Sequence, residues 1–381
     1  MSAPVRILHL HSSFAYGGKE ARAIRLMHAW GSNAVHTIVS GVPERTEAQA
    51  AIGSHIRYEI AQNPPALTGK ASVARFEAIA KYMRRFDLVL TYNWGAIDGV
   101  MARRVFAKGA PPVIHHEDGF NEDEATRLNP VRNLYRRFAL GAADALVVPS
   151  ERLLDVARTV WKQPEGRLHL IGNGVPVARF AQGCAPDAIP GFRRKPGEIV
   201  IGCVAGLREV KDLPLLVRSV GGIAVKVRLV IVGEGPERQN ILDAAEAMGI
   251  DDRVHLPGFL PEAWRYMGLF DIFALSSKSE QQPISVMEAM AAGLPVVAPS
   301  LGDIGKMVSE SNQPYMGIDR MEVHLRDRLQ MLAVDPAARH YVGESNRAKA
   351  FAEFDEATMI TSYKALYERA IGRPGALGQP V

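Results

Sequence analysis

The chain has 381 residues, more than one hydrophobic core usually serves, so two domains are expected. With 47% hydrophobic and 23% charged residues the composition is that of an ordinary globular protein, and no uninterrupted apolar run approaches a membrane span, which argues against a disordered or membrane-spanning chain. Cys184 and Cys203 are the only cysteines and stand far apart, so neither a disulfide framework nor a zinc site is expected, and a reducing compartment fits.

The net charge of +4 hides an asymmetry: residues 1–175 carry 22 basic against 16 acidic side chains, the remainder 23 against 25. Arg84-Arg85, Arg103-Arg104 and Arg136-Arg137 supply much of the first excess. Such pairs serve either as solvated helix faces or as a surface for an anionic acceptor or the anionic inner face of a membrane. The chain enters an apolar run at Val5 with no room for a signal peptide, so a cytoplasmic location is expected. Nothing in the charge pattern points to nucleic acid.

In chain order, residues 5–11 read as a buried strand, 19–30 as a helix, 34–40 as a strand and 73–85 as a helix. Residues 87–92, 112–116 and 145–149 read as three more short strands with helical stretches between them. This alternation implies a parallel sheet. Asn173-Gly174 breaks the pattern, and the Pro- and Gly-containing stretch up to Lys195-Pro196-Gly197 reads as a linker. Strands then recur at 199–205, 228–233, 254–256, 272–275 and 295–298, with helices at 214–220, 237–248, 262–269 and 284–292, so a second parallel sheet is expected. In open parallel sheets ligands bind outside the carboxyl ends of the strands, which makes the loops after each strand the place to seek chemistry.

Six of those loops carry suitable residues. After residue 205, Gly206 permits a tight turn while Arg208 and Lys211 place two cations at the entry to the next helix, where a diphosphate fits. Gly233 and the Gly258-Phe259 pair follow the next two strands and read as turns. Glu280 precedes a short helix with Pro283 at its first turn and Gly293 past its last; Ile284 and Ser285 open it, and Glu288 lies about one and a half turns in. Gly17-Gly18 join the first strand to the first helix and let the backbone approach a phosphate or sugar. Residues 115–118, His115-His116-Glu117-Asp118, run off the end of a strand. Neither G-x-G-x-x-G nor G-x-x-x-x-G-K-[ST] occurs, which removes the main support for nicotinamide or P-loop chemistry.

Two glutamates separated by seven residues and followed by EAMAAGLPVV are similar to the signature of family 4 glycosyltransferases, retaining enzymes of the GT-B fold that use nucleotide-diphosphate sugars. The resemblance runs from about residue 5 to about 371. It implies an α/β chain of two Rossmann-like parallel-sheet domains facing across a cleft: residues 1–175 for the acceptor, 176–354 for the donor, and 355–371 as a helix returning to the first domain; the tail 372–381, beyond the resemblance, reads as disordered. It implies that Glu280 contacts the transferred sugar and Glu288 the ribose, that Arg208 and Lys211 neutralise the donor diphosphate, and that Gly17 and Gly18 pack near it. It also implies that Gly233, Gly258, Phe259, Pro283, Ile284 and Ser285 line the donor pocket. The family usually has a histidine near the transferred sugar; here Asp118 or His116 takes that position, depending on alignment, with Asp118 ahead.

The implied reaction needs no cofactor or metal. Its co-substrate is a UDP- or GDP-linked sugar and its acceptor a hydroxyl of a glycan, glycolipid or other cell-envelope precursor, lipid-linked or anionic. A sugar-nucleotide epimerase would need an acid and base pair that is not visible, and a pyridoxal-phosphate phosphorylase a lysine in better context than Lys306. A noncatalytic sugar-nucleotide-binding protein is the remaining alternative, because Asp118 departs from the usual histidine. Since no metal-ligand motif is present, activity is expected to persist in excess EDTA; complete loss, restored by magnesium or manganese, would overturn that expectation.

Overall fold

A computed structural model describes residues 3–120, 122–125, 127–317 and 319–378. The chain divides into two compact units. The first comprises Met1–Gly119, Leu128–Asn173 and Ala357–Val381, the second Phe120–Arg127 and Gly174–Glu356. The division differs from the expected boundaries by two residues at each crossing and in one internal segment, since Phe120–Arg127 belongs with the second unit although the chain on both sides of it belongs with the first.

The first unit is built on β1 (Val5–His11), β2 (Ala34–Ser40), β3 (Tyr58–Ile60), β4 (Leu88–Tyr92), β5 (Val113–His116), β6 (Ala145–Val148) and β7 (Leu168–Leu170). All pair in parallel, in the order β3-β2-β1-β4-β5-β6-β7. The second is built on β8 (Ile199–Val204), β9 (Val227–Val232), β10 (Val254–Gly258), β11 (Ile272–Ala274) and β12 (Val296–Val297), also all parallel, in the order β10-β9-β8-β11-β12. The central strands are buried on both faces, as Val/Ile/Leu runs require.

Several expectations need correction. Strands β3 and β7 are additional; each is three residues long at a sheet edge and too short to show a period. The helix expected over residues 262–269 is instead two short 3₁₀ turns, Ala263–Arg265 and Met267–Leu269, opened by Glu262 at φ +55°. The tail expected to be disordered is packed as far as it is described: Leu377 is fully buried, its N–H donates to Glu368 Oε1 at 3.0 Å, and Arg373 donates to the Ala3 carbonyl at 2.7 Å. Residues 379–381 of that tail lie outside the described residues. Among the described residues no helix is long and apolar enough to cross a membrane.

Where the chain enters and leaves the second unit, Val175 and Asp355 pair across a parallel bridge. Val175 N–H donates to Phe354 O, and Glu356 N–H to Val175 O. A Cβ on Gly174 would stand 2.6 Å from Glu356 Cα, so the close pass there requires glycine.

The helix Glu356–Ile371 packs Met359, Ile360, Tyr363, Leu366 and Tyr367 into the core of the first unit with β1, β4 and β5. That core has a polar seam. His9 and His11 of β1, His36 of β2 and His116 of β5 are buried, with His9 Nε2 2.9 Å from His36 Nδ1 and His11 stacked on Tyr92 at 4.1 Å. Burial first, then neighbouring imidazoles and, for His11 and His116, the Lys19 or Arg22 charge, pushes all four imidazoles well below the usual range, His9 to about 3. Their folded values lie below the unfolded value near 6.5, so the unfolded chain binds more protons as the pH drops. Stability is therefore intact above about pH 6.5 and is lost below it, by about 1.4 kcal/mol per group per pH unit. The thermal midpoint is expected to fall steeply between pH 7.5 and 5.5, and less so in His9→Gln and His36→Gln variants if these fold; a flat profile across that window would contradict the neutral seam.

Candidate active site

The second unit gathers its candidate residues at the carboxyl ends of β8 to β11. After β8, Leu207 N–H donates to Glu234 O and Glu237 N–H to Leu207 O; after β9, Gly233 N–H donates to Gly258 O. These loops touch backbone to backbone. A Cβ on Gly233, at φ +151°, would lie 1.9 Å from Ala205 O, so this glycine is required by loop packing. Gly258 (φ +90°) approaches the Glu234 carboxylate, and Phe259 after it is half-buried. The exposed Arg208 folds its guanidinium against Gly206, where an added Cβ would meet Nε at 3.2 Å.

Lys211 ends a 3₁₀ turn, Glu209–Lys211, and Asp212 follows in the left-handed region at φ +46°. Outside bonds hold that conformation: Ser276 Oγ lies 2.9 Å from both the Lys211 and Asp212 carbonyl oxygens, Arg320 pairs with the Asp212 carboxylate, and Lys278 N–H donates to Val210 O at 2.7 Å. The loop after β11 is thereby stitched to the loop after β8. The same stitching brings Lys211 Nζ into an ion pair with Glu280 Oε1, which also accepts from Ser277 Oγ at 2.6 Å. Glu280 is held from below as well, since Gly302 (φ +56°) packs so closely that a Cβ would meet Glu280 O at 2.4 Å, and Asp303 N–H donates to Gln281 O.

From this loop the chain enters the helix Ile284–Ala291, with Pro283 at the N-cap and Gly293 at φ +78° after the last turn. Val286, Met287, Ala289, Met290 and Ala291 are buried, whereas Ile284, Ser285 and Glu288 are half-buried and share the other face. Glu288 stands close enough to the buried Tyr266 to add, after burial, to the upward shift of its phenol. Arg208, Lys211, Gly233, Gly258, Phe259, Glu280, Pro283, Ile284, Ser285 and Glu288 thus all belong to one edge of one sheet.

In the first unit, Gly17 caps the helix Gly18–Trp30 in extended conformation (φ −176°), and its carbonyl accepts from Ala21 N–H. Gly18 is exposed beside Lys19, which pairs with Glu20. His116 is placed differently from the expectation that it reaches a ligand. It is buried, its Nδ1 lies 3.2 Å from Thr91 O and its Nε2 3.0 Å from Tyr367 OH. A carbonyl can only accept, so Nδ1 carries the proton and Nε2 accepts from the phenol; both nitrogens are spent on the core.

Asp118 is engaged as well. Its carboxylate receives both terminal nitrogens of Arg22, NH2 to Oδ2 at 2.9 Å, and its N–H donates to Asn93 Oδ1 at 2.7 Å. Arg22, buried to 2% exposure, also donates to Asn173 Oδ1 at 3.1 Å and lies 5.6 Å from the Tyr363 ring. Sequence reasoning passed over Arg22; the available signal was a charge on the apolar stripe of its helix, four residues before Leu26. Glu117 was passed over too: it is fully buried, with Arg136 Nε at 3.4 Å and His115 Nε2 at 3.6 Å, so Arg136 of the expected basic surface is an internal counter-ion. Among the described residues no group of three His, Cys, Asp or Glu side chains is placed to hold a metal ion.

An all-parallel seven-stranded sheet and an all-parallel five-stranded sheet in one chain, with the candidate residues at strand ends, define the α/β architecture called GT-B. Solved structures share it. The Anabaena HepE protein in complex with UDP superposes with a TM-score of 0.74 at 19% identity, covering 96% of this chain and 100% of that one. A sucrose-phosphate synthase from Thermosynechococcus elongatus gives 0.76 at 19%, covering 96% and 99%. The profile described as Glycosyltransferase Family 4 matches residues 7–179, and that described as Glycosyl transferases group 1 matches residues 198–330. The chain belongs to the family 4 glycosyltransferases. It is 22% identical to the N-acetyl-alpha-D-glucosaminyl L-malate synthase of Bacillus anthracis over 63% of each chain, and 24% identical to the D-inositol 3-phosphate glycosyltransferase of Kribbella flavida over 88% of this chain and 85% of that one. The first of these matches spans just under two thirds of the relative's length.

Removing one partner of a buried, bidentate ion pair strands the other charge, so Arg22→Met is expected to cost about 3 kcal/mol. Asp118→Asn added to it should restore part of that loss. Urea unfolding of both single variants and the double variant checks this; strictly additive losses would show that the pair is not coupled.

Proposed function

We propose that the chain is a retaining glycosyltransferase that moves a sugar from a nucleoside-diphosphate donor, UDP- or GDP-linked, to a hydroxyl of an anionic or lipid-linked acceptor in the cytoplasm, without a metal ion. The observation that carries the reading is the Lys211–Glu280–Ser277 joint at the carboxyl edge of the five-stranded sheet. A partly buried ammonium and carboxylate neutralise each other there and can exchange partners when a donor arrives. Lys211 and Arg208 then face the diphosphate, Glu280 accepts hydrogen bonds from the transferred sugar, and Glu288 accepts from the ribose. The complex of HepE with UDP supports the uridine form of the donor.

In this reaction the bond from the anomeric carbon to the diphosphate oxygen breaks, and the acceptor oxygen bonds to that carbon on the same face. The acceptor proton passes to the departing diphosphate. Retention is supported by the state of the β5 terminus: His116 is neutral and enclosed, and Asp118 is held by Arg22, so neither is free to serve as base toward an acceptor. The leaving diphosphate is left to take the proton, and the cations that hold it supply the main stabilisation of developing charge. Asp118 acts near the sugar only through the loop it anchors.

Lys211→Ala is expected to lower kcat by about 10² and also to lower the thermal midpoint, because it leaves the largely buried Glu280 carboxylate without its counter-ion, whereas Lys211→Ala/Glu280→Gln should recover stability but not turnover. Glu288→Gln should weaken binding of the nucleoside diphosphate alone, whereas Glu280→Gln should spare it and weaken only the sugar-bearing donor. Calorimetry with the two ligands decides, and equal losses on both would refute this division. Donor binding without release of nucleoside diphosphate under any acceptor would turn the reading to a noncatalytic binding protein.

A further inference from the structure

Asp212 stands at φ +46°, ψ +48°, in the left-handed region that L side chains rarely enter. It is also the N-cap of the helix Leu213–Gly221, where an aspartate ordinarily accepts from the backbone N–H groups of the first turn. Here the carboxylate makes no such bond and is turned to Arg320 instead. The helix thus forgoes its cap, and the backbone holds an unfavourable conformation, at the residue next to Lys211. With 31% of the Arg320 side chain and 24% of the Asp212 side chain exposed, their pair adds little to global stability. Strain that the surrounding structure over-determines in this way points to a role in the site beside it.

Arg320 lies 108 residues after Asp212 and reaches both of the stitched loops. One terminal nitrogen pairs with the Asp212 carboxylate, and Nε donates to the Ser276 carbonyl at 3.5 Å. Its own backbone is pinned on either side. Before it, Gly317 N–H donates to Ala298 O at 2.9 Å, just past β12. Asp319 Oδ1 accepts from Met321 N–H at 2.9 Å and lies 2.8 Å from His324 Nδ1. After it, the Glu322 carboxylate accepts from Arg218 Nε at 3.1 Å and the Glu322 carbonyl from Ser219 Oγ at 3.3 Å, which ties this segment to the helix that Asp212 opens. The guanidinium is therefore delivered by fixed elements to a point between the ends of β8 and β11.

We propose that Asp212 and Arg320 are positioning residues for Lys211: their pair locks the turn Glu209–Lys211 so that the Lys211 ammonium is presented in one place at the carboxyl edge of the sheet. The inference rests on the role proposed above for Lys211 toward the donor diphosphate. A lysine carries its charge on a flexible four-carbon stem, so its placement has to be fixed first at the backbone. Small displacements of a group that stabilises developing charge are expensive in rate. Arginine suits the task because its planar fork bonds to two acceptors on two loops at once, which an ammonium reaches less well. Arg320 acts in this scheme through Lys211 and touches no substrate.

Two measurements on the full chain test this. The first is acetylation by acetic anhydride, followed lysine by lysine with mass spectrometry. Lys211 is expected to react several-fold faster in Arg320→Met than in the unsubstituted chain, with Lys349, which is bonded to the Lys306 and Val308 carbonyls, unchanged as internal control. Arg320→Lys keeps the charge and should shift Lys211 in the same direction by less, so it serves if Arg320→Met does not fold. The second is turnover. Arg320→Met is expected to lower kcat about tenfold when Lys211 is present, and by less than about twofold in a Lys211→Ala background, where nothing is left to position. Asp212→Gly/Arg320→Met should recover part of the loss, because glycine enters the left-handed region freely and leaves no unpaired carboxylate. Unchanged acetylation of Lys211 in both Arg320 variants would overturn the proposal. Losses that multiply with Lys211→Ala would overturn it too, since Arg320 would then act independently of Lys211. Absence of turnover in the unsubstituted chain would count against the transferase instead, and the acetylation rates would still decide whether Arg320 places Lys211.

Discussion

Parallel pairing sends every crossover back to the same edge of the sheet, so each loop that follows a strand is delivered to one rim. Both units obey this constraint throughout. In the second unit the consequence is concrete. Residues 205–212, 233–237, 258–259 and 276–285 are distant in sequence, yet their backbones bond to each other directly. The glycines there serve this contact first, as Gly233 shows by leaving no room for a Cβ beside Ala205 O.

On that frame the charges settle into pairs. Lys211 meets Glu280, Arg320 meets Asp212, Arg22 meets Asp118, and Arg136 meets Glu117. These pairs differ in burial, and burial decides what they do. Arg22 and Arg136 are almost wholly enclosed, so their carboxylates must stay in place to avoid a stranded charge. Lys211 keeps 17% of its side chain exposed, against 2% for Arg22 and 1% for Arg136.

The histidines show the same sorting. Seven of the chain's eleven lie in the first 116 residues, yet His9, His36 and His116 bond to internal partners, and His11 stacks on Tyr92. Tyr367, the partner of His116, lies 251 residues further on, in the helix Glu356–Ile371. The returning helix therefore takes up a histidine that would otherwise have faced a strand end.

What the sequence determined by itself is whatever local rules encode. The strands of residues 5–11 and 34–40 follow from apolar runs, and the helix Ile284–Ala291 from Pro283 and Gly293 at its ends. That Lys211 and Glu280 lie at one edge of one sheet was legible because each follows a predicted strand. Strands β3 and β7 escaped because three edge residues carry no period, and the packed residues up to 378 because Leu377 finds its pocket only in the folded chain. Tertiary structure alone decided which charges are free. Arg22 and Asp118 stand 96 residues apart, and no spacing rule relates them; only the parallel sheet brings the helix after β1 beside the end of β5. A side chain's chemistry is written in its own residue, but whether that chemistry is available depends on which partner folding buries against it.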